Sequence, residues 1–211
     1  MTLMLSAARA AARAGRTVDV LRGLADMVEG VLLRHPLTMS MAPGDYELLR
    51  ASLRGRPLII DLSLNYGVDP LELGRLSMWV TVSPDAFVSG WDEVVGPLAS
   101  AGHNILVSVP RFFDPSRMGE LRRAFSARAP WGVVVPWPLK DPALRELRGL
   151  TRIIVDLSGL RSAPLGQALC EGAAYEVVDD VVLDSDNPAE ALKVLIYRQR
   201  RAMETCGSPP G

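Results

Sequence analysis

The stretch PLIID, residues 57–61, is a short run of apolar residues that ends in an aspartate. Similar runs recur at residues 78–82 (MWVTV), 104–109 (NILVSV), 131–135 (WGVVV) and 152–156 (RIIVD). A strand with one face in water would alternate apolar and polar residues, whereas these runs are apolar almost throughout. They therefore predict parallel strands that are covered by helices on both faces.

Helices are predicted between these strands from their boundary residues. The segments 85–102 and 114–129 begin near an aspartate or serine that can cap free backbone amides. The Ala-rich stretch 3–14 is expected to be the first helix, and residues 188–201 the last. Strands that alternate with helices through short connections indicate βαβ units. Weaker strand candidates lie at residues 17–21, 37–41 and 175–178.

The composition predicts one soluble domain. Of the 211 residues, 48% are hydrophobic, which suffices for one core, so we expect a single domain over residues 1–205 and a flexible tail at 206–211. The 23 basic and 24 acidic side chains give no global field that would favour DNA or a membrane. Two cysteines are too few for a disulfide framework, and no signal peptide is recognisable, so a cytoplasmic location is expected.

Carboxylates at strand ends are the candidate chemical groups, because ligands of parallel sheets bind outside the carboxyl ends of the strands. Asp61 ends the most apolar strand and precedes the loop 62–67. It could hold a magnesium ion or orient a water molecule, or it could simply cap that loop. Asp156 also ends a strand. More aspartates follow the last strand, where capping of the next helix is favoured over a metal site: Asp179, Asp180, Asp184 and Asp186.

Several common site motifs are missing from the sequence. His35 and His103 have no partner at metal-site spacing, and neither GxSxG nor GxGxxG occurs. The phosphate loop GxxxxGK[ST] is also absent, and the only lysines, Lys140 and Lys193, do not lie in glycine-rich segments. A nucleotide would therefore be bound without the usual phosphate cradle.

The order of the segments resembles the MinD/ParA family of nucleotide-binding proteins. Residues 1–20 look like the stretch after that family's phosphate loop, and residues 45–67 resemble its helix, Walker B strand and switch loop. Residues 76–111, 131–144 and 172–195 are similar to its later strands, to its proline-bearing loop near the base and to its closing turn and helix. The resemblance implies a three-layer α/β fold like that of P-loop NTPases, in which a mostly parallel sheet lacks its first strand and phosphate loop.

The same resemblance implies a site for ATP and Mg²⁺. Asp61 would be both the catalytic residue and the metal ligand. Arg22 and Leu24 stand where the family has its two switch aspartates, and Ser108 or Val109 replaces its base-recognising asparagine. The remaining contacts to the nucleotide would come from Thr2, Ser108, Pro136 and Trp137.

The leading functional interpretation is a degenerate relative of this family with weak or no ATP hydrolysis. It would act as a dimerising switch or scaffold in partitioning or positioning, as a homodimer or with a protein partner. The alternative is a small (β/α)8-barrel enzyme, because the weak strands bring the count to eight; its site would use Asp61, Asp156 and Asp184 at strand ends. A third possibility is an interaction module with an arginine-rich surface at Arg122, Arg123 and Arg128.

Overall fold

The strands of this chain form a closed barrel. The computed structural model describes residues 2–8, 14–63, 72, 76–138, 147–158, 160 and 164–206. Eight parallel strands lie side by side in sequence order, and β8 pairs with β1 to close the ring. They are β1 (Leu3–Ala7), β2 (Gly30–Leu33), β3 (Leu58–Asp61), β4 (Trp79–Val82), β5 (Asn104–Ser108), β6 (Gly132–Pro136), β7 (Arg152–Asp156) and β8 (Tyr175–Val178).

Helices lie between the strands and surround the barrel. They are α1 (Ala14–Leu24), α2 (Leu37–Ser40), α3 (Pro43–Leu53), α4 (Pro84–Val88), α5 (Gly96–Ser100), α6 (Met118–Arg128), α7 (Gln167–Cys170), α8 (Asp180–Leu183) and α9 (Pro188–Glu204). A π-helical turn at Trp91–Val95 separates α4 from α5, and 3₁₀ turns occupy Ala25–Met27, Pro115–Arg117 and Leu147–Gly149. Among the described residues, no helix has both the length and the apolar character needed to cross a bilayer.

Two hydrophobic layers explain why the strands are apolar on both faces. Alternate residues of each strand point into the barrel or out towards the helices, because side chains along a strand alternate in direction. The outward residues join the helices in one large core. The inner hydrophobic layer fills the barrel with one buried side chain from each strand except β4: Met4, Leu32, Ile59, Leu106, Val134, Ile154 and Val177.

The C-terminal helix is fastened to the barrel by a buried carboxylate and a disulfide. Glu176 on β8 is fully buried, and its carboxylate accepts hydrogen bonds from the amide N–H of Gly166 (2.9 Å) and from Nε2 of Gln199 on α9 (2.9 Å). Cys170 at the end of α7 is disulfide-bonded to Cys206, just beyond α9. Both contacts hold α9 against the segment that precedes β8.

The predicted open, three-layer sheet is wrong. Residues 3–5 of β1 pair with residues 176–178 of β8, so the two strands that would be edges bond to each other. The sheet also has its first strand, which the resemblance implied to be absent. A closed parallel barrel satisfies the backbone groups that an open sheet would leave exposed at its edges.

All five strongly apolar runs coincide with strands, as predicted, and so does the weak candidate 175–178. Four segments differ. The predicted first helix, 3–14, begins as β1, whose residues are all buried because they are covered from the barrel interior and from the helical layer. Residues 17–21 belong to α1 and residues 37–40 to α2. The predicted helix 85–102 is interrupted by the π-helical turn.

Several predictions fall outside the described part of the chain. The loop 62–67 is described only for its first two residues, and the loop within 131–144 only as far as residue 138. The end of the predicted tail, residues 207–211, also lies outside it. These expectations stay predictions.

Candidate active site at the carboxyl end of the barrel

Mostly polar residues occupy the barrel interior at the carboxyl ends of five strands. Arg34, Asp61, Ser108, Pro136 and Asp156 each follow a member of the inner hydrophobic layer by two positions. The two-residue period of a strand therefore turns these residues inward, one level above the apolar filling. In (β/α)8 enzymes this end of the barrel carries the active site.

Asp61 is held in one orientation by hydrogen bonds from the described residues Ser63 and Thr81. Its Oδ1 accepts from the amide N–H of Ser63 (2.9 Å), from the Ser63 hydroxyl (2.5 Å) and from the hydroxyl of Thr81 on the neighbouring strand β4 (2.6 Å). The residue is only 4% exposed. Such a side chain is positioned before any ligand binds, because its rotamer is fixed from two strands.

Arg34 lies between two carboxylates. One terminal nitrogen donates to Oδ2 of Asp156 (2.7 Å), and Nε lies 3.9 Å from Oδ2 of Asp61. The second distance is too long for a hydrogen bond, and Nε is buried with no hydrogen-bond acceptor among the described residues. Asp156 in turn accepts from the amide N–H of Ser158 (2.9 Å). With two carboxylates and one guanidinium, this group has a formal charge of −1.

A cavity of about 580 Å³ opens above this group. Arg34, Asp61 and Asp156 form its floor, the ends of β5 and β6 form one wall, and the segments after β4 and β5 form its rim. The volume lies within the range of about 300–1,000 Å³ that small-molecule sites occupy. The cavity can therefore accept a ligand of the size of a sugar phosphate or a nucleotide.

The rim carries an ion pair between the start of α4 and the 3₁₀ turn Pro115–Arg117. Arg117 donates to Oδ1 of Asp85 (2.5 Å) and lies 3.8 Å from a carboxylate oxygen of Glu120. The hydrogen bond to Asp85 and the charge of that residue raise the pKa of Arg117. Asp114 accepts from the Ser116 amide N–H (2.9 Å), and the bonds to the backbone and side chain of Ser116 lower the pKa of Asp114. Both side chains are thus engaged within the protein.

The predicted site residues are only partly brought together. Asp61, Ser108 and Pro136 line the cavity. Trp137 follows them but packs against the outer core. Thr2 precedes β1 at the opposite end of the barrel, where its hydroxyl donates to Oε1 of Gln199 (3.1 Å). The roles of these residues in binding or catalysis stay predictions.

The three carboxylates expected at the site of the alternative (β/α)8-barrel enzyme lie in two different places. Asp61 and Asp156 meet through Arg34 on the cavity floor. Asp184 instead lines a smaller cavity of about 200 Å³ beside Arg16 of α1. Within the described residues, His, Cys, Asp and Glu form no group of three or more that could hold a metal ion.

Arg34 is the site residue that the sequence-based predictions missed. It follows β2, and the strand itself was not predicted because GVLL (residues 30–33) is short and has no clear boundary except Gly30. The signal that could have found it is the same as for Asp61, a charged residue directly after an apolar run.

Comparisons with known proteins show the same fold. No protein-family model matches the chain, and no match to a curated protein sequence was found. Orotidine 5'-monophosphate decarboxylase from Sulfolobus solfataricus is similar in structure, with a TM-score of 0.73 and 18% identity over 95% of this chain and 98% of that one. KGPDC from Streptococcus mutans gives a TM-score of 0.67 and 13% identity over 95% of this chain and 98% of that one.

A third solved structure, 3-hexulose-6-phosphate synthase from Salmonella typhimurium, gives a TM-score of 0.67 and 16% identity over 96% of this chain and 100% of that one. The three likenesses cover nearly the whole length of each chain, so this chain has a (β/α)8-barrel fold. They overturn the resemblance to the MinD/ParA family, and with it the interpretation as a degenerate ATPase switch. Binding of ATP with Mg²⁺, which only that resemblance implied, stays an untested prediction, as do the expected partners and compartment.

Proposed function

We propose that this chain is a (β/α)8-barrel enzyme that performs acid–base chemistry on a sugar phosphate. The observation that carries the proposal is the group of Asp61, Arg34 and Asp156 on the cavity floor, at the end of the barrel where such enzymes have their active sites. The names of two of the similar structures support the substrate class, because one names a nucleotide and the other a sugar phosphate.

The floor residues suit the hydroxyl groups of a sugar. Carboxylate oxygens accept hydrogen bonds from hydroxyls, and Asp61 and Asp156 are both fixed before binding. Either carboxylate can take a proton from a hydroxyl or return one to carbon as a bond to that carbon breaks. Arg34 supplies positive charge beneath the place where negative charge develops on the substrate.

An aspartate is the expected proton carrier because the described part of the site contains no lysine or histidine. Lys193 is exposed on α9, outside the barrel, and Lys140 lies outside the described residues. We therefore expect the reaction to depend on Asp61 or Asp156 directly.

The test is to measure turnover of orotidine 5'-monophosphate and hexulose 6-phosphate, and to measure binding of D-ribose 5-phosphate, the sugar phosphate part of that nucleotide, by calorimetry. For the compound that is turned over, Asp61→Asn and Asp156→Asn should each lower kcat/KM by about 100-fold or more, as expected for loss of a general acid or base. Asp19→Asn, on the exposed surface of α1, is the matched control and should leave it unchanged.

No turnover of orotidine 5'-monophosphate or hexulose 6-phosphate, together with no binding of D-ribose 5-phosphate, would contradict the proposed substrate class. Full activity of both floor variants towards a compound that is turned over would contradict the proposed acid–base role.

A further inference from the structure

The segment after β5 presents to the cavity two side chains that make no hydrogen bond or ion pair with the described residues. Residues 110–113 form a turn in which the amide N–H of Phe113 donates to the carbonyl oxygen of Pro110 (3.1 Å). Arg111 and Phe112 are the two central residues of this turn, so their side chains project from it. Both line the cavity, and Phe112 is 94% exposed.

Arg111 differs in its surroundings from the other arginines of the cavity. Arg34 is occupied by Asp156 and Asp61, and Arg117 by Asp85 and Glu120. Arg111 makes no ion pair or hydrogen bond with any residue that the structure describes. An exposed guanidinium without a partner retains its full capacity to bind an anion with two parallel hydrogen bonds.

The charge of the floor separates the two ends of a ligand. The carboxylate oxygens of Asp61 and Asp156 on the floor accept hydrogen bonds from hydroxyls and repel a phosphate. The rim at Arg111 attracts a phosphate instead. A sugar phosphate would therefore be oriented with its hydroxyls down and its anionic group towards the segment after β5.

The usual phosphate position of this fold is less favourable here. (β/α)8 enzymes commonly hold phosphate with the loops after strands 7 and 8 and the start of a short helix. In this chain β8 is followed directly by two acidic residues, Asp179 and Asp180. At the level of the sequence, these two acidic residues offer a phosphate no cation directly after β8.

We infer that Arg111 is the residue that binds the phosphate of the substrate, and that Phe112 covers the organic part of the same molecule. The inference rests on the proposed function for the identity of the ligand, but the anion-binding position can be tested without any turnover. It places the phosphate on the segment after β5, on a different side of the barrel mouth from the loops after β7 and β8.

The experiment is a calorimetric titration of the intact protein with inorganic phosphate and with D-ribose 5-phosphate at low ionic strength. Arg111→Ala should weaken binding of both by about 10- to 100-fold, as expected for loss of a charge-assisted pair. Arg111→Lys should restore part of the affinity, because it keeps the charge but not the planar fork. Phe112→Ala should weaken the binding of D-ribose 5-phosphate and leave the affinity for inorganic phosphate unchanged.

Two other arginines serve as comparisons. Arg161→Ala removes the arginine that follows β7, where the fold usually binds phosphate, and Arg200→Ala removes an exposed arginine of α9. Neither should change phosphate affinity. Loss of affinity in Arg161→Ala with none in Arg111→Ala would overturn the inference, as would a failure of the wild-type protein to bind phosphate at all.

The outcomes also separate this inference from the proposed function. If Arg111→Ala weakens phosphate binding but no sugar phosphate is turned over, the proposed anion-binding position is supported and the proposed reaction is contradicted. If a sugar phosphate is turned over and Arg111→Ala does not change its affinity, the proposed reaction is supported and the proposed anion-binding position is contradicted.

Discussion

Arg34 is the single residue on which the geometry of the candidate site depends most. Its side chain is 19% exposed and lies between Asp61, whose side chain is 6% exposed, and Asp156 at 19%. Removing one member of a largely buried ionic group leaves the remaining charges without compensation, which costs more than the intact group contributes. The arginine therefore matters for stability as well as for the charge of the cavity floor.

We expect Arg34→Met to lower the free energy of unfolding by about 2–4 kcal/mol, because two neighbouring carboxylates lose their common cation. Urea denaturation followed by circular dichroism measures the change. Arg200→Met, at an exposed position of α9, is the control and should stay within about 0.5 kcal/mol of the wild type. Adding Asp156→Asn to Arg34→Met should recover part of the loss. If Arg34→Met changed the free energy of unfolding by less than about 0.5 kcal/mol, Arg34 would not stabilise the fold through Asp61 and Asp156.

At the scale of elements, the sequence predicted the strands β3 to β8 better than β1 and β2. The runs at 57–61, 104–109 and 152–156 were identifiable because both faces of each strand are buried, so apolar residues dominate. β1 was mistaken for a helix because its five residues run into an Ala-rich segment, and alanine favours helices. β2 was missed because its four residues include only one β-branched side chain, Val31, whereas the equally short β3 includes Ile59 and Ile60.

The candidate site was only partly predictable for a related reason. Asp61 and Asp156 could be named as strand-end residues, since the rule that ligands bind beyond the carboxyl ends of strands needs only strand boundaries. The contact of Asp156 with Arg34 could not be predicted, because it brings together residues that are 122 positions apart. That contact exists only because the strands between them curve into a barrel.

The turn before α7 gives a prediction at the same scale. Gly166 has φ +85°, and a Cβ atom there would lie 2.5 Å from Cβ of Ala202 and 2.9 Å from the carbonyl oxygen of Gln199, both on α9. We expect Gly166→Ala to cost about 3 kcal/mol, of which the left-handed backbone accounts for about 1 kcal/mol and displacement of α9 for the rest.

Gly55→Ala is the matched control for this change. Gly55 has φ +86° but nothing within 4 Å of its Cβ position, so only the backbone cost of about 1 kcal/mol is expected. Thermal and urea denaturation of the two variants measure the difference. Equal losses would mean that α9 does not pack closely on Gly166 in solution.

At the scale of the whole molecule, the decisive step is closure. Local patterns of strands and helices are the same for an open parallel sheet and for a barrel, because both bury the strands on two faces. The difference lies in the pairing of β1 with β8, at opposite ends of the chain. A sequence pattern read segment by segment contains no information about that pairing, which is why an ordered resemblance to an open-sheet family was misleading.

The disulfide between Cys170 and Cys206 acts on this same scale, because it restrains the end of the chain after the barrel has closed. It spans 36 residues, and a link of that length lowers the entropy of the unfolded chain enough to stabilise the fold by about 4 kcal/mol.

We expect the double variant Cys170→Ser/Cys206→Ser to unfold at a correspondingly lower urea concentration. The wild type should shift to the same midpoint when a reductant is added, whereas the double variant should not respond to it. Two titratable thiols in native protein purified without reductant, or equal midpoints for the oxidised wild type and the double variant, would contradict this prediction.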